Sequence, residues 1–166
     1  PTLVEVGRHL NIELITLSEV IDVTGEKGNF QVEVLEKPRY VDVNLCVGCG
    51  ACTEKCPGKW DDGYNSDLAK RTAIYLEYPQ AVPLKYAINP DVCLKLTKDK
   101  CGTCEEVCPA NAIDYTQTEK KRTINAGAVI FSPGYKAFDP TRFDNYQYAH
   151  FPNVVTSMEF ERILSA

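Results

Sequence analysis

The sequence predicts an α+β protein built around a cysteine-rich centre, and three observations carry that expectation. All eight cysteines fall between Cys46 and Cys108, in two groups of four. Ahead of them, β-branched and aromatic residues alternate or cluster around a GEKGN turn, and behind them come an apolar run, a proline–glycine turn and a segment of helical spacing. At 166 residues and 44% hydrophobic content the chain has enough apolar material for a core of ordinary domain size.

Taken in order, residues 1–10 read as the end of a helix. IELITLSEV and IDVTGEKGNFQVEVLEK then read as a strand followed by a hairpin. Past Pro38, RYVDVNL leads into the first cysteine group, and the polar, glycine-bearing GKWDDGYNSDLAK after it reads as a loop or a short helix start. In RTAIYLEYPQAVPLKYAI, Pro79 and Pro83 restrict the chain to short extended pieces, because proline lacks the N–H that a helix interior or central strand needs. The second cysteine group closes with PANAIDYTQ. TINAGAVIF is then a buried-strand candidate halted by SPGYKAFDP, and SMEFERIL has helical spacing with Ser157 as its expected N-cap. Three zones follow: 1–38, 39–121 and 122–166.

Charge and hydropathy narrow the function classes. No apolar run approaches the roughly 18 residues that span a bilayer, and the opening segment has neither a basic leader nor a small-residue cleavage site, so a cytoplasmic protein is expected. A net charge of −5, with basic residues scattered among acids, gives no patch for nucleic acid. His9 and His150 read as surface residues. Lys95, Lys98 and Lys100 read as a solvated face, with an acidic partner as the alternative.

The first cysteine group is C-V-G-C-G-A-C-T-E-K-C-P, the C-x2-C-x2-C-x3-C-P run of bacterial-type ferredoxins. A cubane needs four soft thiolates converging from different directions. Two-residue gaps wrap consecutive cysteines around one corner while backbone N–H groups turn toward sulfur, and Gly48 and Gly50 ease that approach. The three-residue gap sends the fourth cysteine to a neighbouring cluster. The second group supplies one, since CGACTEKCP at 49–57 matches CGTCEEVCP at 101–109 at six of nine positions without gaps. That leaves Cys93 to correspond to Cys46 across a gap widened from two residues to seven, which a surface loop absorbs at little entropic cost. The expected ligand sets for two 4Fe-4S clusters are Cys46, Cys49, Cys52 and Cys108, and Cys93, Cys101, Cys104 and Cys56.

Other readings of the cysteines fit less well. A zinc ribbon pairs two CxxC units per site and has no use for a third cysteine two residues on, nor for paired C-P endings. A disulfide framework suits a short secreted chain. A radical enzyme requires a different three-cysteine spacing and an open iron. Eight cysteines filling two clusters leave no iron free for substrate, so the centre is expected to relay single electrons. Trp60, Tyr64, Tyr75, Tyr78 and Tyr86 read as packing around it rather than as redox relays.

With its flanks the chain resembles a segment of the heterodisulfide reductase A-subunit family, whose members are flavin-bearing iron–sulfur proteins. NIELITLSEVIDVTGEKGNFQVEVLEKPRYV, YPQAVPLKYAI, GAVIFSPGYKAFDP and PNVVTSMEFERILSA carry the resemblance over nearly the whole sequence. It implies a bacterial-type two-cluster ferredoxin domain at 39–121, inserted between β-rich pieces, 1–38 and 122–166, of a thioredoxin-reductase-like domain that binds FAD. VIFSPGY resembles the strand and Ala-Thr-Gly of such flavoproteins, with Ser132, Pro133 and Gly134 in those places as candidates near the flavin and a core strand plus turn as the equal alternative. No G-x-G-x-x-G fingerprint occurs, so FAD is expected in the parent protein rather than in these residues alone. The Pro1 start and Ala166 end fit a piece of a longer chain. The function implied is electron transfer through two 4Fe-4S clusters between that flavin, where the parent splits electron pairs, and another redox subunit or a ferredoxin. The alternatives are an autonomous soluble ferredoxin-type carrier and a structural zinc module.

Overall fold

The GEKGN turn closes the hairpin expected of it. In the computed structural model, which describes residues 2–165, strand β1 (Ser18–Glu26) pairs antiparallel with β2 (Asn29–Glu36), and Glu26 faces Asn29 across a two-residue loop. Gly28 holds φ +89° there, a conformation that L side chains rarely adopt. The register shifts between Val20 and Asp22, leaving Ile21 as the bulged residue. The 1–10 segment forms helix α1 (Thr2–Arg8); Pro1 and Ala166, the extreme ends of the expected outer zones, lie outside the described residues.

Within the described residues the chain divides into two compact units, one of 2–60 with 71–129 and one of 61–70 with 130–165. In the first, β7 (Lys120–Ala126) pairs antiparallel with β2, from Phe30 opposite Ala126 to Glu36 opposite Lys120. The result is a three-stranded sheet in the order β1-β2-β7. Residues 37–119 therefore leave and return at facing ends of two neighbouring strands.

Between those ends lie short elements: α2 (Ala51–Glu54), β3 (Lys59–Asp61), β4 (Lys70–Thr72), β5 (Ile74–Tyr75), β6 (Ala87–Ile88), α3 (Leu94–Lys98) and α4 (Thr103–Glu106). The two prolines do limit this stretch to short extended pieces, since β5 and β6 pair over only two residues each. The core gathers here, around Val41, Ile74, Ile88, Ala73, Ala112 and four of the cysteines. Gln117 ties the departing and returning chain together, its Oε1 accepting from the backbone N–H of Arg39 at 3.1 Å and of Tyr40 at 2.8 Å.

TINAGAVIF departs from expectation. Its first half belongs to β7, but the ladder ends at Ala126, where β2 runs out, and Gly28 closes it by donating to the Gly127 carbonyl. Ile130 and Phe131 follow in irregular chain, 89% and 72% exposed, so the apolar run is not a buried strand among these residues.

The second unit carries α5 (Ser157–Leu164). Its N-cap is Thr156 rather than Ser157. Thr156 Oγ1 accepts from the Glu159 N–H, and the Glu159 carboxylate accepts from the Thr156 N–H, the reciprocal capping box that a Thr-x-x-Glu sequence can close. Phe138 and Phe143 stack and Tyr146 meets both edge to face in a small aromatic cluster, and Arg162 sits 5.0 Å over the Tyr64 ring. Among the described residues no helix is long and apolar enough to cross a membrane.

Candidate metal centre

Two strand-to-turn units place the first cysteine of each group, and they are built alike. Asp42 N–H donates to the Ala112 carbonyl at 2.7 Å, the Asp42 carboxylate accepts from the Asn44 N–H, and the Asp42 carbonyl accepts from the Cys46 N–H at 2.9 Å. At the other end Asn89 N–H donates to the Ala73 carbonyl at 2.8 Å, Asn89 Oδ1 accepts from the Asp91 N–H, and the Asn89 carbonyl accepts from the Cys93 N–H at 3.1 Å. Each cysteine thus follows, four residues on, a side chain able to form an Asx turn. DVNLC and NPDVC carry this signal in the sequence, where the cysteine spacing alone does not single out Asp42 and Asn89.

The extra residues after Cys93 do not hang as a loose loop. They form α3, whose N-cap is Cys93, with the Cys93 carbonyl accepting from the Thr97 N–H and, at 2.8 Å, from its hydroxyl. Asp99 turns the chain out of this helix in the left-handed region and pairs with Lys95 at 2.7 Å. Cys52 and Cys104 then occupy corresponding places in α2 and α4. At Gly48, φ is +72° and an added Cβ would stand 3.0 Å from the Leu84 carbonyl oxygen, so this turn has no room for a side chain.

All eight cysteines are unpaired thiols, and they divide between two cavities of similar size. Cys46, Cys49, Cys52 and Cys108 line one, and Cys56, Cys93, Cys101 and Cys104 line the other. Each set draws three cysteines from one group and the fourth from the other. Ile74, only 1% exposed, lines both cavities. Among the described residues no three His, Cys, Asp or Glu side chains close to the distance at which they could hold a single metal ion, and each set of thiols instead surrounds a space. Four soft donors around a cavity of this kind suit a polynuclear iron–sulfur group.

Electrostatics fit the same group. Burial pushes the Cys52 thiol up to about 12, and the neighbouring cysteines add to the rise; burial likewise raises Cys104. Cys101, exposed, is lowered by hydrogen bonds from the Thr103 backbone and hydroxyl. Buried thiols give up their protons when a cation arrives to offset the charge, so loading is coupled to proton release. Ala112 N–H donates to Cys108 Sγ at 3.3 Å, and Lys85 Nζ donates to the Cys46 carbonyl. Tyr115, in IDYT after the second group, carries no spacing signal in the sequence. It lies 2.9 Å from Cys104 Sγ, with its phenol raised first by burial and then by that contact.

Of the aromatics read as packing, Tyr86 covers the first cavity, while Trp60 and Tyr75 meet edge to face at 5.3 Å with the Arg71 guanidinium over both rings. Ser132, Pro133 and Gly134 lie exposed in the second unit, whereas all eight cysteines belong to the first.

A profile for a 4Fe-4S dicluster domain matches residues 45–112, so a ferredoxin-type domain with two 4Fe-4S clusters is present. Over its full length the chain is 41% identical to the A-subunit of H(2):CoB-CoM heterodisulfide,ferredoxin reductase from Methanothermobacter thermautotrophicus, covering 24% of that protein. It is 42% identical over 167 aligned residues to the A-subunit of Ferredoxin:CoB-CoM heterodisulfide reductase from Methanosarcina mazei, covering 20% of it. To a protein of Archaeoglobus profundus named as similar to the heterodisulfide reductase A-subunit it is 42% identical over 186 aligned residues, 26% of that chain. The chain therefore spans about a quarter of the length of the curated relatives it matches.

Proposed function

We propose that this chain is the electron-relay segment of a heterodisulfide-reductase-type iron–sulfur flavoprotein, passing single electrons between the parent's flavin and a redox partner. The observation that carries the reading is the division of eight thiols into two sets of four around separate cavities, each completed by a cysteine from the opposite group. When bound, a 4Fe-4S cluster supplies reversible one-electron storage. Cys46, Cys49, Cys52 and Cys108 are assigned as ligands of one, and Cys93, Cys101, Cys104 and Cys56 as ligands of the other. With four thiolates committed per cavity, no ligand position is left for a substrate, so the residues here hold, insulate and tune rather than catalyse. Ile74 and the alanines beside it exclude water from the space between the two sets. Backbone N–H donors such as Ala112 favour the more negative, reduced state.

The pairing of Glu36 with Lys120 supports placing 39–121 as an insertion between flavin-domain pieces 1–38 and 122–166. A freely diffusing carrier has no need of that sheet. FAD is assigned to the parent, with Ser132, Pro133 and Gly134 as this chain's contribution near it. The partners are further redox subunits of such a complex or a ferredoxin, in an anaerobic cytoplasm.

Anaerobic purification with joint measurement of iron, acid-labile sulfide, zinc and flavin tests the proposal. About eight iron and eight sulfide per chain are expected from two cubanes. Stoichiometric zinc without sulfide would end the cluster reading, and bound FAD would overturn the assignment of the flavin to the remainder of the parent.

A further inference from the structure

The two cavities are lined by repeat-related cysteines but not by the same hydroxyls. In the cavity of Cys56, Cys93, Cys101 and Cys104, the Tyr115 hydroxyl lies 2.9 Å from Cys104 Sγ, and Thr103 Oγ1 lies 3.5 Å from Cys101 Sγ. Among the described residues no side-chain hydroxyl stands at hydrogen-bonding distance from the sulfurs of Cys46, Cys49, Cys52 or Cys108. Tyr86 also lines that cavity. Cys104 is buried, so its contact with the phenol is shielded from competing water.

An O–H donor to a ligand sulfur stabilises whichever redox state places more negative charge on that sulfur, and that is the reduced state. Lys95 lines the Tyr115 cavity but is paired with Asp99, whereas Lys85 donates to the Cys46 carbonyl and the Ala112 N–H to Cys108 Sγ, so the other cavity has donors of its own and the hydroxyl contact is what distinguishes this one. We propose that Tyr115 tunes its own cluster, raising the potential of the one held by Cys56, Cys93, Cys101 and Cys104 above the value it would have without that hydroxyl, and so favouring a single electron there. One electron from a low-potential one-electron donor adds one negative charge to one cluster. No bond forms or breaks, and Tyr115 keeps its proton. The inference rests on the assignment of four thiols to each cavity.

The test is a dye-mediated redox titration of the full chain, loaded anaerobically and followed by electron paramagnetic resonance, with iron and sulfide measured on every sample. Tyr115→Phe is expected to shift the reduced-to-oxidised ratio of one cluster about tenfold toward oxidised, a downward move of about 59 mV for one electron, while the other midpoint stays in place. Replacing Tyr115 by 3-fluorotyrosine, which keeps the ring and strengthens the donor, moves the same midpoint upward and decides the matter if Tyr115→Phe loses a cluster. Unchanged midpoints at full iron content in both variants, or an equal shift in Tyr86→Phe, would overturn the tuning role with the ligand assignment intact. An unaltered chain holding well under eight iron and eight sulfide would overturn the assignment itself, and the tuning role with it.

Discussion

The two-residue strand pair around Ile74 and the three-stranded sheet belong to the same unit and use the same antiparallel pairing, yet they treat apolar surface in opposite ways. Ile74 and Ile88 face each other at 1% and 3% exposure, whereas Val20 and Ile21 on β1 stand 54% and 41% exposed over a far longer ladder. Hydrogen bonding alone therefore does not mark where the chain is self-sufficient. The cysteine centre closes on itself because Val41, Ala73, Ile74, Ile88 and Ala112, from segments flanking the two repeats, pack together with the buried thiols. The sheet pairs its backbone but leaves the side chains of β1 uncovered.

Predictions that break or sharpen this contrast begin at the thiols. Cys56→Ser is expected to remove the cluster of Cys93, Cys101 and Cys104 rather than the one held by its own motif, halving iron from about eight to about four per chain. Cys108→Ser should remove the other, and spectra that separate the two clusters will distinguish the losses. Cys93→Ser should match Cys56→Ser, and retention of both clusters with unchanged spectra would make Cys93 a bystander. Next, Ile74→Ala opens space beside both cavities and should cost about 2–5 kcal/mol, read as faster loss of visible absorbance in denaturant.

Smaller effects belong to the periphery. Gln117→Ala leaves two backbone N–H groups without their acceptor and should cost about 1–3 kcal/mol in denaturant titration, with cluster content unchanged. In α5, Thr156→Ala removes one half of the capping box and should cost the helix about 1 kcal/mol by circular dichroism. There burial pushes the Glu159 carboxyl up, but hydrogen bonds from Tyr148 and Thr156 outweigh it and hold it below the ordinary value. Its stabilisation is then fully present above the unfolded value and is lost as pH falls through the lowered one, so helicity of α5 should fall with acid. Glu159→Gln should lose that pH dependence. Smallest of all, Val20→Lys on the exposed β1 should change stability by no more than about 0.5 kcal/mol in denaturant titration.

Much of the centre is legible in the chain because ligand spacing is local chemistry. CGACTEKCP and CGTCEEVCP announce themselves as a repeat, and the hairpin at Lys27 and Gly28 follows from its glycines. Cys93 is harder to place, since its gap is filled by a helix that spacing alone does not show. The matching turns of Asp42 and Asn89 are written in DVNLC and NPDVC, but a turn residue four positions ahead of a ligand stands out only once both turns are seen. Ser157 loses the cap to Thr156 because a reciprocal bond with Glu159 outweighs a single plausible cap residue. TINAGAVIF misleads because an apolar run signals burial without saying what will cover it.

By itself the sequence determined the thiol count and its arrangement: eight cysteines in two related groups, each ending Cys-Pro. It also determined the hairpin and the helical tail, because turns and caps depend on a few neighbouring residues. Only the tertiary structure decided that β7 pairs with β2, so that the centre is suspended from one pair of strand ends, and that Tyr115 meets Cys104 while, among the described residues, no hydroxyl meets a sulfur of the other cavity. Both are long-range matters of packing. Register between strands some 90 residues apart and the aim of one phenol are set by what the whole unit buries, and no local spacing encodes that.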